Sequence, residues 1–382
     1  MDTLSIFDLL PEEEAQKYKP IKSTDWKWSM ADDYPKEKNG LKVFSCFACG
    51  GGSTMGYKLA GCDVIGCCEI DPKMNEVYIK NHHPKHNFLM DLRKFNEIPN
   101  EELPEELFNL DILDGSPPCT TFSMAGDRED SWGKKKKFRE GQAEQTLDDL
   151  SFVFIETVAK LRPKVMVMEN VEGLIKGEAW AYVQRIYKQL RDIGYQVKHW
   201  LLKGEHMGVP QKRHRVFLIA VRGDIAFDFD NLDNLESFNY VPITYGEIKE
   251  GSRDITPKMA ELFEYIEKGE KDFVRAWNRK HNLGRPEKRM LFNAIVTYDD
   301  DIMQTCAGDH GSMYDYSTKA RVSDKSIANA TTFPQDYDFC GRSIPYICGM
   351  SVPPVMIKRI VTRLIESGVF SYDDRRCRDE SR

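Results

Sequence analysis

The chain has 382 residues, 41% of them hydrophobic and 30% charged, with a formal net charge of −7. That length supports a large core and two domains. The composition excludes a disordered or fibrous chain, and no apolar run is long enough to cross a membrane. Met1 to Leu10 lack the basic-then-apolar layout of a secretory leader, so a cytoplasmic protein is expected. Ten cysteines are scattered without a framework spacing, which suits free thiols in a reducing compartment.

Residues 1–40 read as a polar extension with Trp26 and Trp28 as anchors. From residue 41 strand and helix alternate. Leu41–Phe44, Val64–Cys68 (ending at Glu69), Phe88–Met90 (ending at Asp91), Leu110–Leu113 and Lys164–Met168 (ending at Glu169) read as strands. Tyr195–Leu202 and Val216–Val221 supply two more. Between them lie helical patterns over Ser53–Ala60, Pro72–Asn81, Leu147–Leu161 and Ala179–Ile193. Nearly continuous apolar strands alternating with helices predict an α/β, parallel-rich, doubly wound sheet. After Arg222 the alternation stops and charge rises, which predicts a smaller second domain. Near the end, Pro353 and Pro354 open a helix that stops at Gly368.

Several segments carry chemistry. Phe47 to Gly56 joins the first strand to the first helix through Gly50, Gly51 and Gly52, which lets backbone approach a ligand at a helix N-terminus. About 20 residues after the loop opens, Glu69 ends the second strand, where an acid can bond a ribose hydroxyl. Such a loop serves a nicotinamide, a flavin or S-adenosylmethionine equally. Asp91 reads either as an adenine contact or as a helix cap. Cys119 ends Asp114-Gly115-Ser116-Pro117-Pro118-Cys119, a thiol on a proline-stiffened turn at the end of a buried strand. Glu169-Asn170-Val171 follows the fifth strand. Gln211-Lys212-Arg213-His214-Arg215 precedes the seventh, with Arg213 and Arg215 two apart and so on one face. Cys46, Cys49, Cys67 and Cys68 read as small core residues, and no metal site is expected.

The acidic total charge weakens long-range attraction to nucleic acid, but its distribution is uneven. Arg275, Arg279 and Lys280 lie in a basic block over 274–290, interleaved with Trp277, Asn278 and His281. Lys134 to Lys137 and Arg139 form a second block. Each reads as a phosphate-contacting surface or as a solvated face.

Taken in order, the glycine loop, Glu69-Ile70-Asp71, Pro-Pro-Cys, Glu-Asn-Val and Gln-x-Arg-x-Arg resemble the cytosine carbon-5 DNA methyltransferase family. Thr120 to Gly126, Phe333-Pro334-Gln335-Asp336-Tyr337 and Gly349-Met350-Ser351-Val352-Pro353-Pro354 extend the likeness. The resemblance implies a Rossmann-like methyltransferase fold with a mixed sheet and a smaller target-recognition domain. It implies an N-terminal extension over 1–40, a catalytic domain over 41–222, target recognition over 223–345, and a returning segment over 346–382. It implies S-adenosylmethionine held by Phe47, Gly50, Gly52, Glu69, Ile70, Asp91, Pro117 and Ser351. Cys119, Glu169, Arg215 and Arg213 would act on a cytosine flipped out of double-stranded DNA. Ser123, Lys134, Gln211, Arg275, Arg279 and Lys280 would contact the nucleic acid. A monomer of bacterial or viral origin, linked to restriction-modification, is expected.

Three departures from the family stand out. Cys49 occupies a usual glycine, Met350 a usual asparagine, and Ser323-Asp324-Lys325-Ser326 differs from Thr-x-Arg-Glu. A modified donor, a transfer-RNA substrate and a non-catalytic DNA-binding homologue are the alternatives these leave open.

Overall fold

The computed structural model describes residues 21–118, 149–177, 179–282, 291, 293–308 and 312–371. A seven-stranded sheet holds β1 (Lys42–Cys46), β2 (Asp63–Glu69), β3 (His86–Leu89), β4 (Ile112–Gly115), β5 (Val165–Val171), β6 (Tyr195–Lys203) and β7 (His214–Arg222). Their spatial order is β3-β2-β1-β4-β5-β7-β6. All pairs are parallel except those made by β7, which runs antiparallel to both β5 and β6. The chain winds outward from β1 to β3, then returns to place β4 on the other side of β1. The carboxyl ends of β1 and β4 therefore flank the switch point where open α/β sheets bind ligands.

The expected strands and helices of this sheet are present, with ends displaced by a residue or a few. The helices are α1 (Gly52–Leu59), α2 (Pro72–His82), α3 (Leu92–Glu97), α4 (Leu150–Leu161) and α5 (Ala179–Asp192). Two apolar clusters cover the two faces of the sheet. One joins Phe44, Leu113, Met166 and Leu218 to α4 and α5. The other joins Val43, Ile112, Val167 and Ile219 to a helix from the end of the chain. Successive strand residues point to opposite faces, so the near-continuous apolar runs feed both clusters.

A second sheet has the order β8-β11-β10-β9, from β8 (Ser252–Arg253), β9 (Ala294–Thr297), β10 (Ser312–Asp315) and β11 (Ala320–Val322). Helices α6 (Pro257–Phe263) and α7 (Val274–Lys280) pack beside it around Phe263, Phe273 and Tyr314. The boundary is not a clean cut. Ile225, Leu232 and Leu235 pack in the core of the large sheet. Met55 and Val77 share a cluster with Tyr245, Met313 and Phe333. Trp28 is an anchor, as expected: it is buried and its indole N–H donates to the Thr332 carbonyl at 2.8 Å.

The chain then makes α8 (Asp324–Ala330), α9 (Ile344–Met350) and α10 (Pro354–Glu366). Helix α10 crosses α1 at Gly56, where a Cβ would lie 2.4 Å from Ile357 Cβ and 2.5 Å from the Pro354 carbonyl. Only glycine allows that approach. It brings the end of the chain against the start of the glycine loop. Among the described residues no helix is long and apolar enough to cross a membrane, and no group of acidic, histidine or cysteine side chains has metal-binding geometry.

Candidate active site

The glycine loop leaves β1 in left-handed conformations. Phe47 (φ 55°) and Cys49 (φ 46°) adopt them although they carry side chains, and Gly51 (φ 80°) follows as the residue before α1. Cys49 thus sits where glycine would be relaxed. The Glu69 carboxylate fixes that shape. Its two oxygens accept from the Cys49 N–H at 2.7 Å and the Asp71 N–H at 2.8 Å. Burial pushes the Glu69 carboxyl above its ordinary pKa, and these N–H groups oppose the shift. The Cys49 thiol is pushed up to about 12 by burial and then by the Glu69 charge, so it stays protonated.

The returning segment closes on this loop. A Cβ on Gly52 would lie 2.3 Å from the Val352 carbonyl, and one on Gly50 would lie 2.6 Å from Ile347 Cγ2. Ser351 is 4% exposed, and its Oγ is buried without a hydrogen-bond partner. It stands 3.7 Å from the Gly50 Cβ position. An orphaned hydroxyl beside a glycine loop is what a polar ligand would satisfy. Ile70 is half-buried next to Glu69. Asp91 caps α3, accepting from the Arg93 N–H at 2.9 Å, and pairs with the Arg93 guanidinium.

A second cluster lies at the ends of β4, β5 and β7. Val171 pairs directly with Arg215 across the antiparallel ladder. Glu169, two residues back and on the same face, meets Arg215 diagonally. The Arg215 Nε donates to the Glu169 carboxylate at 2.8 Å, with both side chains nearly buried. Burial lowers the Arg215 pKa and Glu169 counters it. Asn170 donates to the Pro117 carbonyl at 3.3 Å, which ties the end of β5 to the proline turn. Pro117 is buried and Pro118 half-buried. Cys119 and Ser123 follow and, like Lys134, lie outside the described residues.

Arg213 joins the two clusters. It is 2% exposed. Its guanidinium donates to the carbonyls of Ser351 (2.8 Å), Gly349 (3.1 Å) and Cys306 (3.4 Å). It therefore braces the returning segment from behind instead of presenting its charge to a cavity.

Some expected contact residues are placed otherwise. Gln211 is fully buried, with neither end of its amide bonded. This removes it from any surface that could meet a phosphate: the turn before β7 folds inward under the Gly204 backbone. Arg279 is held by Glu270 and by Glu267 at 3.6 Å, and Lys280 by Glu261 at 2.5 Å. Arg275 is exposed on α7. The basic block is thus largely neutralised by acids distant in sequence, which charge counting along the chain could not reveal.

Two residues at this site carried no signal in the sequence. His82, at the end of α2, is buried against Gly51. Asp114, in β4, is buried and accepts from Ser45 Oγ at 2.9 Å and Tyr57 Oη at 3.1 Å. Burial pushes Asp114 up to about 7 against those hydrogen bonds. Their partners lie 57 and 69 residues away for Asp114, beyond the reach of any spacing rule.

The family described as C-5 cytosine-specific DNA methylase matches residues 41–366. The chain belongs to this family. It is similar to the type II methyltransferase M1.HphI of Haemophilus parahaemolyticus, 24% identical over 85% of this chain and 87% of that one. It is also similar to M.NgoPII of Neisseria gonorrhoeae, 30% identical over 52% of this chain and 53% of that one. The stretch matched thus spans about half the length of M.NgoPII. Among solved structures, a mutant of DNMT2 from Spodoptera frugiperda matches with a TM-score of 0.59 at 17% identity, over 85% of this chain and all of that one. That likeness concerns the fold, which is the Rossmann-like methyltransferase fold with a mixed sheet.

Proposed function

We propose that this chain is a DNA (cytosine-5)-methyltransferase that uses S-adenosylmethionine. The observation that carries the reading is a continuous chain of contacts. It runs from the proline turn through Asn170, Glu169, Arg215 and Arg213 to Ser351 and the glycine loop. A base-activating group and a donor cradle are thereby held at one edge of the sheet.

The donor, when bound, supplies an electrophilic methyl group on a sulfonium. The loop at Phe47, Gly50 and Gly52 approaches it with backbone. Glu69 and Ile70 take the ribose side, Asp91 the adenine side, and Ser351 offers its free hydroxyl, with Pro117 closing the pocket. Cys119 is the nucleophile. All eight described cysteines have their thiols pushed upward, chiefly by burial. Of the ten in the chain, that leaves Cys119 and Cys377. Only Cys119 adjoins the site. Its thiolate adds to carbon 6 of a flipped-out cytosine, which makes carbon 5 electron-rich. Glu169 hydrogen-bonds nitrogen 3 and the exocyclic amine as negative charge develops on the ring. Arg215 orients Glu169 and polarises the base carbonyl. Arg213 acts as a positioning residue. After transfer, loss of the carbon 5 proton expels the Cys119 sulfur and restores the ring.

The same reading assigns 41–222 and 346–382 to catalysis and 223–345 to target recognition, in a monomeric cytoplasmic enzyme. The test incubates the purified chain with radiolabelled donor and either duplex DNA or transfer RNA. Label in DNA is expected, with Cys119→Ser reducing it by at least about a thousandfold. Label only in RNA, or full turnover by C119S, overturns the proposal.

A further inference from the structure

The glycine loop is gripped from behind at a single carbonyl. The Gly50 carbonyl accepts from the Tyr337 hydroxyl and from His82 Nε2, the latter at 3.2 Å. Both side chains are at least nine-tenths buried. His82 comes from the last turn of α2, Tyr337 from the segment after α8, and 287 residues separate Tyr337 from the glycine it holds.

The two donors are themselves fixed. The His82 ring packs edge-on to Tyr78 at 4.7 Å, and the Tyr78 hydroxyl bonds Thr54 in α1 at 2.8 Å. Tyr337 packs edge-on to Phe333 at 4.9 Å. Two links staple α2 to the later segment. Asn81 and Asp338 exchange side-chain-to-backbone hydrogen bonds at 2.8 and 2.9 Å, and Glu76 pairs with Arg342 at 2.6 Å. A Cβ on Gly51 would lie 2.1 Å from His82 Nε2, so the ring is pressed against the loop.

A carbonyl with two donors cannot rotate without losing both hydrogen bonds in a buried setting. Turning the Gly50–Gly51 peptide would also displace the backbone that faces the donor cradle. We infer that His82 and Tyr337 are positioning residues that set the glycine loop for the adenosyl donor. Sequence distant from the loop thereby controls donor affinity. The geometry also fixes the histidine's state. Nε2 carries the proton, and Nδ1 is buried with no partner. The ring is therefore neutral, and α2 and the returning segment act together through it.

This inference rests on the donor reading of the loop, and the experiment separates the two. Isothermal titration of S-adenosylmethionine into the full chain is compared for wild type, His82→Phe, His82→Gln and Tyr337→Phe. Melting of each protein is followed without and with donor. H82F and Y337F are each expected to weaken donor binding about three- to tenfold, the size of one lost hydrogen bond. The donor-induced rise in Tm should shrink with it. H82Q, which keeps an N–H donor, should recover much of the loss, which a purely space-filling role would not predict. Y337F keeps its ring and so tests the same carbonyl if H82F does not fold. A wild-type chain that binds no donor overturns the loop reading and this inference with it. A wild-type chain that binds, with variants that bind equally well, overturns this inference alone.

Discussion

The two sheets of this molecule are held together differently. The seven-stranded sheet is built from contiguous apolar runs whose neighbours are nearly all buried hydrophobics. The four-stranded sheet uses strands of two to four residues, and charged pairs tie it to its surroundings. Lys249 bridges Asp299 at 2.9 Å and the buried Asp315 at 2.8 Å, and Arg253 pairs with Asp324. The first region is organised by area removed from water, which is non-directional and tolerant of detail. The second depends on particular polar partners, which are directional and individually weaker. A catalytic frame and an adaptable reading surface would divide in this way.

Substitutions should break that contrast in a graded order. Gly56→Ala forces a Cβ into the α1–α10 seam against backbone and a branched side chain. It is expected to cost about 3 kcal/mol in urea unfolding, at the upper range for overpacking. An effect below about 1 kcal/mol would mean the seam can open. Asp315→Ala leaves Lys249 with Asp299 as its remaining acid and removes acceptors from Ser317 and Tyr245. A loss of about 2 kcal/mol is expected by the same measurement.

Asp114→Asn sharpens the comparison inside the large sheet. The carboxyl titrates near 3.8 when unfolded and is pushed up to about 7 when folded. Between those values the unfolded chain has released a proton that the folded chain retains. Wild-type stability should therefore fall as pH rises from about 4 to 7, and D114N should not share that fall. The gap between the two proteins should be on the order of 1 kcal/mol larger at pH 8 than at pH 4. Unfolding curves that stay parallel across pH would show that Asp114 is readily hydrated. Smallest of all, Arg253→Ala removes an exposed pair and should change stability by under about 1 kcal/mol, with less effect at high salt. A larger loss would make the small sheet's ion pairs more than surface decoration.

By itself the amino-acid order determined the winding of the large sheet, because each strand's apolar run and each helix's period are local and repeat without interruption. It also marked the chemistry-bearing turns, since Pro-Pro-Cys, the glycine loop and the acids at strand ends depend on backbone geometry a few residues long. Only the tertiary structure decided who holds whom. It turned Arg213 into a brace on Ser351 and buried Gln211. It cancelled Arg279 with Glu270 and set His82 and Tyr337 on one carbonyl. Those pairings join residues up to hundreds of positions apart. No period or spacing encodes them, and they exist only once hydrophobic burial has brought the two ends of the chain together.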